Sequence, residues 1–311
     1  MMTNKSWTNR CNVLPGTVIR GKWHHNRYVI IKKLGSGANG IVYLAEGAGG
    51  YTAIKMSDDS MSIISEVNVL KELAKVQGSV LGPSLLDVDD WEQPREKSIP
   101  FYAMEYINGP NLLSFIRQKG TSWAGVMIVQ LLHHLEQLHR LGWIFCDIKP
   151  ENLIVSVNPA KIRCIDVGGT TRRGRAVKEF TEFFDRGYWG LGSRKAEPSY
   201  DLFSTAMVMI NLFYPNRFQK NSGGIHQLRA YIQKSAELSR YQEILEKALT
   251  GQYASAEQMK KEMLSIMSRT AMKNRRVKQK RSRKKGSLME TAAVIFVTSF
   301  LYGLYIYLFL L

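Results

Sequence analysis

The chain has 311 residues, enough for one large domain or two moderate ones with appendages, and long enough to bury a substantial core. Its 43 Lys and Arg against 26 Asp and Glu give a formal charge of +17, but ten of the basic residues and no acidic one lie in residues 269–285, so the remainder carries +7. This excludes a generally basic protein and points to an acidic partner at one place. The three cysteines, Cys11, Cys146 and Cys164, are odd in number and lack metal-ligand spacing, and they read as reduced, cytosolic thiols.

Residues 1–20 hold no long apolar run before a small-residue cleavage site, so no signal peptide opens the chain, and residues 1–27 read as an N-terminal extension. From Tyr28 the pattern is strand, glycine-rich turn, strand, with Gly35, Gly37 and Gly40 followed by Ile41-Val42-Tyr43-Leu44. A turn that brings backbone N–H groups over phosphates excludes side chains at its tightest points. Alone the motif is weak, and a plain hairpin turn is its bland alternative. A strand after the third glycine, in place of a helix, argues against a dinucleotide-binding fold. The next strand, 51–56, ends in Thr-Ala-Ile-Lys55-Met. A helix is expected over 62–75, with Ile63, Val67, Leu70 and Leu73 on one apolar face and Glu66 among them; Glu72 is the alternative carboxylate on the same helix. Two further strands, at 82–86 and 101–106, precede Gly109-Pro110, which breaks the chain between a smaller and a larger lobe.

An apolar-periodic helix over 126–141 leads into residues 144–152, Ile-Phe-Cys-Asp-Ile-Lys-Pro-Glu-Asn. One tight loop thus carries Asp147, Lys149 and Asn152. That set suits phosphoryl transfer: Asp147 to orient and accept the proton of an attacking hydroxyl, Lys149 to neutralise charge on the moving phosphate, Asn152 to hold a metal ion. The bland alternative is a solvated polar loop. Short strands at 153–155 and 162–165 then introduce Asp166-Val167-Gly168.

The ordered set resembles the bacterial Hanks-type serine/threonine protein kinases over residues 28–267, and within them the short membrane-tethered YabT-type kinases of spore-forming Bacilli. The resemblance implies an α+β, bilobal protein-kinase fold, with a β-rich N-lobe at 28–107 and a helical C-lobe at 108–270. It implies ATP and Mg²⁺ (or Mn²⁺) as cofactors. Gly35, Gly37, Gly40 and Val42 would cover the nucleotide, Lys55 would grip its α/β-phosphates with Glu66 as partner, and Asn152 and Asp166 would hold the metal. Met104 falls at the gatekeeper, the hinge Glu105 to Ile107 would meet adenine through backbone groups, and Asp201 would open the helix that braces the catalytic loop.

Three departures from the family pattern stand out. Phe145-Cys146 replaces His-Arg, so the arginine that anchors an activation-segment phosphate is missing. Arg172, Arg173 and Arg175 are the available substitutes. Thr170, Thr171 and Thr181 are the candidate phosphosites, and activity is expected to depend little on them; near-total loss in a triple Thr-to-Ala variant would sink that expectation. Phe145 and Val167 exchange bulk between two apolar positions behind the active site, which can preserve volume. No Ala-Pro-Glu follows the activation segment, and Gln252 stands where its arginine partner would be. Losing both avoids a buried unpaired charge, worth about 3–5 kcal/mol.

Residues 273–285 hold nine Lys and Arg in thirteen positions: Lys273, Arg275, Arg276, Lys278, Lys280, Arg281, Arg283, Lys284 and Lys285. Residues 291–311 follow with 21 positions and no charge. As a helix they would reach about 31 Å, the thickness of a bilayer core, and read as a transmembrane helix after a basic juxtamembrane segment at 271–290. The positive-inside rule places the kinase on the cytoplasmic side of the cell membrane, as a single-pass protein. With the chain ending at Leu311, no extracytoplasmic sensor is expected. The basic run can serve topology and anionic lipid alone, or bind DNA without sequence preference. The reading is therefore a membrane-anchored serine/threonine kinase acting on protein substrates, with a homodimer left open. The alternatives are a pseudokinase scaffold and, against Lys149 and the glycine-rich turn, a small-molecule kinase.

Overall fold

A computed structural model of the chain describes residues 10–37, 39–75, 81–93, 98–270, 272 and 295–299. The chain divides into two compact units, Met1–Met263 and Leu264–Leu311. The first opens with an antiparallel sheet of β1 (Val18–Arg20), β2 (Arg27–Gly37), β3 (Gly40–Gly47), β4 (Gly50–Met56), β5 (Leu85–Trp91) and β6 (Ile99–Glu105), in the order β1-β2-β3-β4-β6-β5. Alternate residues of these strands, among them Ile30, Tyr43, Ile54, Met56 and Phe101, form a single apolar cluster with Cys11. Since successive strand side chains point to opposite faces, Lys55 between Ile54 and Met56 is turned away from that cluster. Val42 and Tyr102, its register partners on β3 and β6, share its face.

Helix α1 (Ser60–Ala74) starts where the Asp59 carboxylate accepts the Met61 N–H at 2.9 Å, and packs on β5 and β6. β1 lies inside the stretch read as an N-terminal extension, yet pairs with β2, so the sheet starts before Tyr28. Three residues with only Ile19 buried carry too little periodicity to be seen.

The larger lobe is helical. Asn111 caps α2 (Leu112–Lys119) by accepting the Ser114 N–H at 2.8 Å. Helix α3 (Ser122–Arg140) starts one turn before the expected position, its first turn buried through Ala124 and Gly125 and so invisible to a count of large apolar residues. The loop after it is framed by β7 (Trp143–Ile144), β8 (Leu153–Ser156), β9 (Lys161–Cys164) and β10 (Thr171–Arg172), paired β7 with β10 and β8 with β9. Then follow α4 (Arg186–Trp189), α5 (Pro198–Phe213), α6 (Ile225–Lys234), α7 (Gln242–Leu249) and a helix over 256–263. In α5, 14 of 16 residues are buried, as expected of the central helix of a lobe.

In the second unit residues 264–270 are helical, and 295–299 form a helical piece with Ile295, Phe296 and Val297 exposed. Among the described residues no helix is long and apolar enough to cross a membrane. The basic run 273–285, and the span at 291–311 apart from 295–299, lie outside the described residues.

Candidate active site

A cleft of about 680 Å³ separates the two lobes, and the glycine-rich turn, Lys55, the 105–107 hinge, Asp147, Asn152 and Asp166 all line it. Gly40 has φ 130°, and a Cβ there would stand 2.3 Å from the Met56 carbonyl oxygen, so the fold itself requires glycine. Gly35 and Gly37 differ: no atom lies within 4 Å of where their Cβ would be. Nothing among the described residues needs them small, whereas a phosphate approaching the backbone does.

Under this roof Lys55 is 6% exposed and Glu66 2%. The Lys55 ammonium donates to both Glu66 oxygens, at 2.7 and 2.6 Å, and lies 3.7 Å from Asp166. Glu66 also accepts from the Tyr102 hydroxyl at 2.7 Å and from Ser62 at 3.3 Å. Burial acts to lower the lysine pKa, but Asp166 and Glu66 outweigh it and hold the amine above its ordinary value. Burial likewise pushes the Glu66 carboxyl up, against the pull of Lys55 and Tyr102. The alternative, Glu72, pairs instead with Lys75 at 2.7 Å on the exposed side. Tyr102 went unread in the sequence because a tyrosine in an apolar strand reads only as a strand residue.

On the floor, Asp147 collects three side-chain donors: Lys149 at 2.5 Å and Asn152 at 3.1 Å on Oδ2, and the Thr181 hydroxyl at 3.1 Å on Oδ1. Asn152 also donates to the Asp147 carbonyl, at 3.1 Å. The loop is held from behind by Asp201, fully buried on α5, which accepts the N–H groups of Phe145 and Cys146 at 2.8 Å each and bonds His139 at 2.8 Å. These bonds hold Cys146 at φ 71°, a left-handed conformation unusual for a residue with a side chain. At the hinge, the Glu105 carboxylate is taken up by Arg163 (3.0 and 2.8 Å) and the Ser84 N–H (3.1 Å), and the Glu105 N–H donates to the Ser84 carbonyl at 2.9 Å, so this side chain is turned to the fold and not to a base. The Arg163 guanidinium holds that carboxyl below the usual range. Met104 lines the cleft beside it.

The departures acquire physical content. Phe145 and Val167 are both buried, at 1% and 2% exposure. Cys146 packs with Ile144, Ala196 and Tyr200, and Val177 lies against them, so an apolar cluster stands where the family has a charge. Burial, then Asp201, pushes its thiol far up. The activation segment is laced by backbone bonds from Gly174 to Ala196 (2.8 Å), Ala196 to Arg175 (2.8 Å) and Val177 to Arg194 (2.9 Å).

The candidate phosphosites need correction. Thr170 and Thr171 are each 2% exposed, and the Thr171 hydroxyl donates to the Gly169 carbonyl at 2.9 Å. Thr181 touches Asp147 and accepts from Lys149 at 3.3 Å, so a phosphate there would set a dianion against a carboxylate. In the region of the missing Ala-Pro-Glu, Asp185, fully buried, pairs with Arg194 at 2.7 Å, accepts from Tyr200 at 2.9 Å, and caps α4 through the Gly187 and Tyr188 N–H groups. Among the described residues the Gln252 side chain bonds locally, to Thr250 at 2.9 Å. Asn39 and Glu179, also unread, join the glycine-rich turn to the activation segment by a hydrogen bond across the cleft.

The protein kinase domain family matches residues 28–285. This chain belongs to the protein kinase family. The kinase is 46% identical to the serine/threonine-protein kinase YabT of Bacillus subtilis over 338 aligned positions that span all of both chains, and it is of the serine/threonine type. Over 43% of its length it is 34% identical to serine/threonine-protein kinase cek1 of Schizosaccharomyces pombe, of which that match covers 10%. Among solved structures it shares its fold with vaccinia related kinase 3 (TM-score 0.61, 14% identity, 84% of this chain and 92% of that one). The Mycobacterium tuberculosis PknI kinase domain is similar too (TM-score 0.57, 17% identity, 82% and 100%). The donor set fits the family's cofactors: open backbone at Gly35 and Gly37 for phosphates, and hard oxygen ligands from Asp166 and Asn152 for a divalent cation.

Proposed function

We propose that this kinase is anchored in a membrane by residues 291–311 and transfers the γ-phosphate of ATP to serine and threonine hydroxyls of proteins, with the basic run 273–285 receiving a polyanionic input. The observation that carries the phosphotransfer reading is the assembled cleft, where Lys55 is already paired with Glu66 and Asp147 is gripped by Lys149, Asn152 and Thr181. Lys55 would steady the α/β-phosphates, Lys149 would meet charge on the transferred group, and Asp147 would orient the acceptor hydroxyl and take its proton. Asn152 and Asp166 would hold Mg²⁺ or Mn²⁺, which when bound neutralises phosphate charge. The complete set of polar groups in one cleft favours an enzyme over a scaffold.

The test is labelled-phosphate transfer by the full chain and by residues 1–285, beside Asp147→Asn, with and without duplex DNA, and with membrane sedimentation of both chains. Incorporation should fall about 10²–10⁴-fold in the variant, only the full chain should sediment with membranes, and DNA should raise the rate. No incorporation by protein that binds ATP would make the chain a pseudokinase. Indifference to DNA would leave the basic run to lipid and topology.

A further inference from the structure

From Arg172 to Lys178 the activation segment carries four cations in seven residues, Arg172, Arg173, Arg175 and Lys178, and no anion; Glu179 follows directly. Arg172 is engaged: it stacks on Trp143 at 4.0 Å and donates to the Leu141 carbonyl at 3.3 Å. Arg173, Arg175 and Lys178 are exposed, and their side chains have no hydrogen bond or ion pair among the described residues. These three are not mobile ornaments, because the 174–177 backbone is tied to 194–196. Nor are they reserved for a phosphate on the segment's own threonines, which are buried at Thr170 and Thr171 and bonded to Asp147 at Thr181.

We propose that Arg173, Arg175 and Lys178 form the docking surface for acidic residues flanking the acceptor hydroxyl, so that this kinase selects acidic stretches of its protein substrates. The inference rests on the phosphotransfer reading. Thr181 is bonded to Asp147, which fixes that end of the segment at the site of chemistry. An extended chain covers at most about 3.5 Å per residue, so Lys178 lies within about 11 Å of Thr181 and Arg175 within about 21 Å. A peptide whose hydroxyl reaches Asp147 and which runs back along the segment would meet Lys178 within about three residues and Arg175 within about six.

The anions nearby do not cancel this field. Glu179 keeps its charge but lines the cleft, where it accepts from Asn39 and faces Lys55, Asp185 is buried against Arg194, and Glu182 is exposed and follows Thr181 in the chain. The exposed charge next to Thr181 is thus graded, with Arg173, Arg175 and Lys178 before it and Glu182 directly after it. Acidic residues should be read on one side of the acceptor only. A nucleic acid fits less well, since three free cations neutralise too few phosphates for firm binding at physiological salt.

The experiment uses the full-length protein and three serine peptides of equal length: glutamates before the acceptor, glutamates after it, or glutamines on both sides. One glutamate peptide should exceed the glutamine peptide in kcat/KM by about tenfold at low salt, shrinking as the Debye length falls below about 8 Å. In R173Q/R175Q/K178Q, checked for an unchanged thermal midpoint, that ratio should fall to near one. Equal rates on all three peptides overturn the inference, and so does a ratio that survives in the variant. Equal rates together with duplex-DNA retention lost in the variant would overturn it in favour of a nucleic-acid contact. Transfer to none of the peptides by protein that binds ATP would sink the phosphotransfer reading and this inference with it.

Discussion

Tyr102, on the same sheet face as Lys55, donates to the same buried Glu66 carboxylate, and hydrogen bonds to charged groups are worth about 1.5–3 kcal/mol. Tyr102→Phe keeps the ring and removes only the hydroxyl. It should raise KM for ATP about tenfold and lower the thermal midpoint by several degrees, short of collapse because Lys55 and Ser62 still hold Glu66. A midpoint that collapses with KM intact would make the hydroxyl a purely structural bond. The glycines separate in the same way. Gly40→Ala meets the Met56 carbonyl at a positive φ and should cost about 1–3 kcal/mol or more of stability. Gly37→Ala meets nothing and should change stability by less than about 0.5 kcal/mol, yet weaken ATP binding measured by titration. Two glycines of one motif are thus small for different reasons, one for the fold and one for the ligand.

At the level of elements, the activation segment is ordered by the Cys146–Ala196–Tyr200 cluster and by its backbone ladder, without a phosphate anchor. A triple threonine variant is a poor test of this, because Thr181 belongs to the catalytic cluster. Thr170→Ala should keep activity within about threefold, since the Thr170 hydroxyl is buried without a partner among the described residues and losing it leaves no group newly unsatisfied; Thr171→Ala also frees the Gly169 carbonyl and tests the fold of the segment instead. Thr181→Ala should lower kcat about tenfold and Thr181→Ser restore it, read by steady-state kinetics. The N-terminal stretch has its own clasp. His24 bonds Asp87 at 2.6 Å and lies 3.8 Å from Asp89, and the Asp87 hydrogen bond and charge raise its pKa. The folded value lies above the unfolded one, so this contribution is complete below about pH 6.5 and fades as pH rises through the folded pKa. Amide protection of residues 17–24, corrected for intrinsic exchange, should be greater at about pH 6 than at about pH 8.5, and His24→Gln should abolish the difference. The active-site motifs could be read from sequence because each is local: the polar residues of a loop of nine, or glycines at fixed offsets. The clasp could not, because its partners are 63 and 65 positions apart and each reads alone as an ordinary surface residue.

For the molecule as a whole, charge and hydropathy separate the chain into a nearly balanced enzyme, a basic run and an uncharged tail, and that division is a property of composition that needs no fold. Glycine spacing and the ordered Lys55, Asp147, Asn152 and Asp166 set carried a resemblance that by itself implied the two-lobed architecture and the phosphoryl chemistry, while spacing along one short loop and strand periodicity set only which side chains share a loop or a face. Tertiary structure alone decided which of two helix carboxylates meets Lys55, that Thr181 serves Asp147, and that Asp185 and Arg194 form a buried pair where Ala-Pro-Glu is absent. Each of those contacts joins groups brought together by packing of separate elements. Its energy depends on burial and on the other donors present, quantities that exist only once the chain has closed on itself.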